Sequence, residues 1–182
     1  MANTDEIFIT SINRIFRQYK KLGEGAFEQL KDNELNFMLD KESNSIALIV
    51  KHISGNMLSR WTDFYTSDGE KEWRDRDAEF EGKIENKKQR VEVWEKGWDC
   101  LFNIIEKLQP ADLSKTVYIR QEAHTVIDAI NRQLAHYSYH IGQMVYLAKH
   151  IRSSEWKSLS IPKGESKKYK PLSDSPQRES KK

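Results

Sequence analysis

The chain has 182 residues, of which 32% are charged and 37% hydrophobic, with a net charge of +2 and a single cysteine. That length supports one domain with a real core, and the balance excludes a disordered or membrane-embedded chain. The lone cysteine, Cys100, excludes an intramolecular disulfide framework and suits a reducing compartment.

Four segments carry an apolar period between three and four, the pattern of amphipathic helices. The first is expected from about Thr4 to Leu30, with Phe8, Ile12, Ile15, Tyr19, Leu22 and Ala26 on one stripe. Asn3 can cap it, with Glu6 three residues on. The second is expected from about Ser45 to Tyr65, through Ile46, Ile49, Ile53, Met57, Arg60 or Trp61, and Phe64. The third is expected from about Gly82 to Leu108, through Ile84, Val91, Trp94, Trp98, Leu101 and Ile105, with Pro110 ending it. Between the third and fourth, the β-branched and aromatic residues of Lys115–Arg120 suggest an extended stretch. The fourth is expected from about Thr125 to Ile151, where Ile127, Ile130, Leu134, Tyr137, Ile141, Met144, Ala148 and Ile151 alternate steps of three and four. Four such helices predict an all-α fold, a four-helix bundle, and the first two connections are long for a simple up-down arrangement.

Charge is unevenly spread. Residues 163–182 hold seven basic and three acidic residues, which leaves the preceding body at a net −2. A mildly acidic body argues against nucleic-acid binding, and the Ser, Lys, Pro and Glu of the end predict a disordered basic tail. The expected division is a bundle domain over 1–160 and a tail over 161–182. No aliphatic run is long enough to cross a bilayer, and the N-terminal residues show no basic-then-apolar leader, so the expected compartment is the cytoplasm. Cys100 falls in an apolar helical stretch and reads as an inert thiol rather than a nucleophile.

The chemistry concentrates in five histidines. His136 and His140 lie four apart in the fourth helix, which puts both imidazoles on one side of it, one turn apart. Such a pair can supply two of the nitrogens that a divalent cation binds at roughly 2.0–2.1 Å. His52, on the second helix, is a candidate third ligand. The spacing alone also describes polar residues on the shoulder of the apolar stripe, and by itself it favours that plainer reading. His124 and His150 have no spaced partner. Gly142, in mid-helix, suggests a close helix approach. Asn56, Arg132 and Gln143 are candidate orienting groups by helical phase, with Asp128–Arg132 also readable as an ordinary helix pair.

The segment Leu134-Ala135-His136-Tyr137-Ser138-Tyr139-His140-Ile141-Gly142-Gln143 resembles the fourth-helix signature of the DinB-like superfamily, damage-inducible-type four-helix proteins that include the bacillithiol and mycothiol transferases. Val50-Lys51-His52-Ile53-Ser54-Gly55-Asn56 resembles its second-helix ligand segment, and the stretches Arg60–Phe64, Asp68–Lys71 and Arg74–Asp77 resemble a subfamily of uncharacterised function. The likeness extends over roughly residues 5–160. It implies a four-helix bundle with a long crossover and a three-histidine site, His52, His136 and His140, for Zn²⁺ or Ni²⁺. It also implies a homodimer.

Two functions follow as expectations. One is a divalent-metal-dependent enzyme acting on a small molecule, either a thiol S-transferase using a low-molecular-weight thiol or a hydrolase. The alternative is a non-catalytic metal-binding or dimeric interaction protein, with Trp94 and Trp98 as a dimer face or simply as core. In the charged segment 68–77, Arg74 and Arg76 can clamp an anion. The favoured expectation there is a crossover loop stapled by Trp73 and Phe80.

Overall fold

The structure, a computed structural model, describes residues 3–168. It is mostly helical: α1 (Thr4–Phe27), α2 (Ile46–Trp61), α3 (Lys87–Ile105), a hairpin of β1 (Thr116–Ile119) and β2 (Glu122–Thr125), then α4 (Val126–Arg152). Helix α2 packs against α3 and α4, and α1 packs against α4 and α3, so the four helices enclose one core. No helix among the described residues is long and apolar enough to cross a membrane. Of the expected tail, residues 169–182 lie outside the described residues. Just before it, Trp156 and Leu159 pack against the core.

Each long helix starts at a side-chain cap. Asn3 accepts from Asp5 N while Glu6 reaches back to Asn3 N at 3.1 Å, the reciprocal box expected there. Ser45 accepts from Leu48 N, Asn86 from Gln89 N, and Thr125 from Asp128 N. Helix α3 therefore begins at Lys87, not near Gly82. Gly82 takes a left-handed φ of +70°, and Ile84, whose spacing mimicked helix, is buried in the preceding irregular segment. The Asn36 amide clamps that segment, donating to Ile84 O at 2.9 Å and accepting from Ile84 N at 3.2 Å. Helix α2 also ends sooner than expected, at Trp61, because Asp63 turns the chain with φ 49°. The connections 28–45 and 62–86 are correspondingly long.

The expected extended stretch is β1, paired antiparallel with β2 from Thr116–Thr125 to Ile119–Glu122. Arg120 and Gln121 make the two-residue turn, both at positive φ, as the twist of a tight hairpin demands. Neither is glycine, so the turn needs outside support. Asp68 supplies it, accepting from Arg120 N at 2.8 Å and Gln121 N at 2.6 Å. Gly69 N donates to Tyr118 O at 2.7 Å. The loop 62–86 is thereby pinned across the hairpin.

Trp61, Trp94, Trp98, Tyr137 and Phe16 form the centre of the core, each essentially without exposure. Burying side chains of this size stabilises by at least roughly 1.5–3 kcal/mol apiece. Trp94 and Trp98 are thus core, and no dimer face. Trp61 Nε1 donates to Tyr137 Oη, which donates to Asn56 Oδ1, both at 3.1 Å. This buried chain fixes the rotation of α4 against α2, one residue from His136.

Candidate metal centre

Helix α2 is buried on nearly every side, and His52 sits inside it at 4% exposure. On α4 the buried face runs through Gln133, Tyr137, His140, Ile141 and Met144, so His140 lies on the core face rather than its shoulder. His136 is half-buried at the edge. Packing α2 on α4 brings the three imidazoles together, each with a ligand atom within 4.8 Å of the others. His52 Nε2 and His136 Nε2 are 3.2 Å apart. Ligand nitrogens around a tetrahedral zinc sit about 3.3 Å from one another, so this pair already has the separation a shared cation needs.

Hydrogen bonds on the far side of two rings decide which nitrogen is free. His52 Nδ1 contacts Glu79 Oε2 at 2.8 Å. A carboxylate only accepts, so the proton is on Nδ1 and the Nε2 lone pair is bare. His140 Nδ1 likewise contacts Gln143 Oε1 at 2.8 Å, leaving its Nε2 bare, buried and without a hydrogen-bond partner among the described residues. His136 Nδ1 is also buried and unpartnered. Buried polar atoms rarely stay unpaired. Three imidazoles with a ligand nitrogen each within 4.8 Å of the others form a donor set that a divalent cation fits.

Burial and the neighbouring imidazoles push His136 down to about 3, and burial, helped by His52, pushes His140 down to about 4. Both rings are neutral at pH 7, the form that binds metal. Burial works against the charge on Glu79, but hydrogen bonds from His52 and Arg74 outweigh it and hold the carboxyl below its usual range. Arg74 grips Glu79 bidentately, Nε to Oε1 at 2.7 Å and Nη2 to Oε2 at 2.9 Å. Gly55 makes room for this carboxylate: a Cβ there would lie 2.7 Å from Glu79 Cδ.

Sequence reasoning missed Glu79. It lies in a loop without periodicity, and only the path of that loop takes it to His52. Arg74, expected as an anion clamp, is committed to Glu79 and Glu70. Of the two expected staples, Phe80 stacks on the His52 ring at 4.8 Å, whereas Trp73 is 60% exposed and staples nothing. Gln143 does orient a ligand ring, and Asn56 and Arg132 line the adjoining cleft. Asp128 pairs with His124 rather than Arg132, and His150 stacks on Phe37. Gly142 faces open space, so no close helix approach explains it. Cys100 is half-buried, its thiol pushed up by burial and in contact with Thr62.

The fold and site define a mostly helical protein with three histidines positioned to coordinate a metal ion. A family model described as "Protein of unknown function (DUF1572)" matches residues 3–165, and the chain belongs to that family. No curated protein and no solved structure matches the chain.

Proposed function

We propose that the chain is a DinB-like metal enzyme, a four-helix bundle with long crossover connections. His52, His136 and His140 hold one divalent cation, zinc or nickel. It acts on a small molecule as a thiol S-transferase or a hydrolase. It works as a homodimer in the cytoplasm, residues 1–160 forming the bundle and 161–182 a basic tail. The observation that carries the reading is that Glu79 and Gln143 hold the protons of His52 and His140 on Nδ1, which leaves the Nε2 of His140 buried without a partner and the Nε2 lone pair of His52 3.2 Å from His136 Nε2.

A cation bound in such an open three-histidine site would lower the pKa of a bound water toward ~7, or would hold a thiol as its thiolate. The remaining work falls to the chain. Glu79 and Gln143 keep two rings in the binding tautomer and orientation. Phe80 covers one face of His52 and keeps water from it. Tyr139 lines the cleft beside His136, its hydroxyl pushed up by burial, and is a donor at neutral pH. Cys100 is not among the residues lining that cleft, so the attacking group is a water or thiol and not a protein side chain.

Elemental analysis of untagged protein, purified without chelator beside a His52/His136/His140 triple alanine variant, tests the reading. The expected result is near-stoichiometric metal that the variant loses. A wild-type chain that stays metal-free after incubation with Zn²⁺ and Ni²⁺ would overturn it. A screen of electrophiles with and without low-molecular-weight thiols then separates the two reactions: thiol-dependent turnover marks the transferase, and ester or amide cleavage indifferent to thiol marks the hydrolase.

A further inference from the structure

The cleft beside the histidines has about 360 Å³ of space, and five arginines line it: Arg60, Arg74, Arg76, Arg120 and Arg132. No aspartate or glutamate shares that lining. Two glutamates stand behind it. Glu70 pairs with Arg60, Arg74 and Arg120, and Glu79 with Arg74. With Asp68, whose carboxylate lies close enough to Arg60 to feel its charge, five positive charges meet three negative ones, and the surplus of two falls on Arg76 and Arg132. Neither has an ion-pair partner among the described residues. Of the acids nearest them in sequence, Asp75 caps Ala78 N and Asp128 pairs with His124, while Asp77, next to Arg76, forms no ion pair with it.

The buried side of the cleft is also short of partners. Arg60 is 4% exposed; its Nη atoms bond Gly69 O and Glu70, but its Nε is buried and unpaired. Gln133 is 3% exposed, and its Oε1 is buried and unpaired, an acceptor suited to a hydroxyl or amine of the bound molecule and not to its oxyanion. A fold that only needed to bury these groups would pair them.

We propose that this cleft binds a small molecule through an oxyanion, a carboxylate or a phosphate, held by Arg60, Arg76 and Arg132 beside His136. The proposal names the substrate class for the metal site and rests on that reading for the position of the reacting atoms. Guanidinium groups match both oxyanions, since each offers two oxygens to a planar fork of N–H donors. The cleft has the size of a small-molecule site. A body with a net charge of −2 does not attract a polyanion such as nucleic acid, so the surplus is local.

Calorimetric titration of the full chain, stripped of metal and loaded with Zn²⁺, with succinate, methylphosphonate and uncharged succinamide tests this. The comparison protein is Arg76→Ala/Arg132→Ala, whose two exposed side chains leave the core intact. One of the anions is expected to bind the wild type, more weakly as salt is raised, and to lose at least about tenfold in affinity in the double variant. Succinamide is expected not to bind, and melting temperature and metal content are expected to match the wild type. Equal affinity in both proteins, or binding of neither anion by the folded wild type, overturns the proposal. Metal content on the same samples reports separately on the metal reading. A chain that takes no metal yet binds an anion through Arg76 and Arg132 sinks that reading and keeps the anion cleft.

Discussion

His140 and His52 are oriented in opposite ways. The acceptor for His140 is Gln143, three residues away on the same helix, so α4 sets that ring by its own geometry. The acceptor for His52 is Glu79, 27 residues on, in a loop that reaches the site only because Asp68 and Gly69 pin it to the hairpin. A local device survives small shifts of the fold. A device assembled from α2, the loop and the hairpin fails if any one of them moves. The α2 side should therefore be the fragile half of the centre.

The largest test is Glu79→Ala against Gln143→Ala. Loss of Glu79 frees the His52 tautomer and leaves the buried Arg74 without its bidentate partner. The expected cost is about 3–5 kcal/mol of stability and a 10–100-fold loss of metal affinity, of order. Gln143 is exposed, and its loss should cost under about 1 kcal/mol, with the smaller effect on metal. Urea denaturation and competition with a chromogenic chelator measure both. Equal effects would break the comparison.

Acid should strike both halves together. An unfolded histidine titrates near 6.5, whereas folded His140 and His136 hold off protons until about 4 and about 3. Below pH 6.5 the unfolded chain thus binds protons that the folded chain refuses. For metal-stripped protein, the contribution of these rings is fully present above pH 6.5 and is lost as pH falls through about 4 for His140 and about 3 for His136. This window opens above that of Glu70, whose contribution is lost only from about pH 4.5 down, because Arg120 and Arg60, against burial, hold it at about 2. The urea midpoint is expected to drop between pH 6.5 and 5 in the wild type. It should drop much less in His136→Ala/His140→Ala. A flat wild-type profile rules the mechanism out.

Gly55→Ala sharpens the comparison without removing any polar group. The new methyl would press on the Glu79 carboxylate from the α2 backbone, and a carboxylate held by both His52 and Arg74 has little room to give. The expected destabilisation is about 1–3 kcal/mol, the usual cost of overpacking. Metal affinity should fall with it, because the displaced group orients His52. Retained affinity would mean that Glu79 can shift and still hold the ring.

The same contrast governs what could be read from the sequence. The two histidines of α4 declared themselves by their spacing, and Gln143 was reachable by counting along one helix. Bringing His52 to them needed the likeness to a known helix pair, since α2 and α4 are far apart in sequence. Helix α2 read as amphipathic, yet Ile46–Val50 is apolar throughout and the helix is buried almost all round, so its stripe could not say which face meets α4. Ile84 misled because a buried residue in an irregular segment carries the same apolar signal as one in a helix. Glu79 gave no signal at all. In sequence it is one more acid in a charged loop, and its role exists only after a hairpin some forty residues later has fixed the loop's path.

The smallest expected effect comes from the robust half. Gly142 follows His140 and precedes Gln143, so its place in the sequence suggests that the site needs it. A Cβ at Gly142 would meet nothing within 4 Å, its φ is not left-handed, and it lies exposed in mid-helix. Its only consequence is then the entropy the unfolded chain gains at a glycine. Gly142→Ala should stabilise by about 0.5–1 kcal/mol, a rise of a few degrees in Tm. Metal content should not change, since neither the His140–Gln143 bond nor the cleft lining involves this residue. A loss of metal in a more stable protein would place a further requirement at Gly142 and show that the α4 half is less self-contained than its hydrogen bonds indicate.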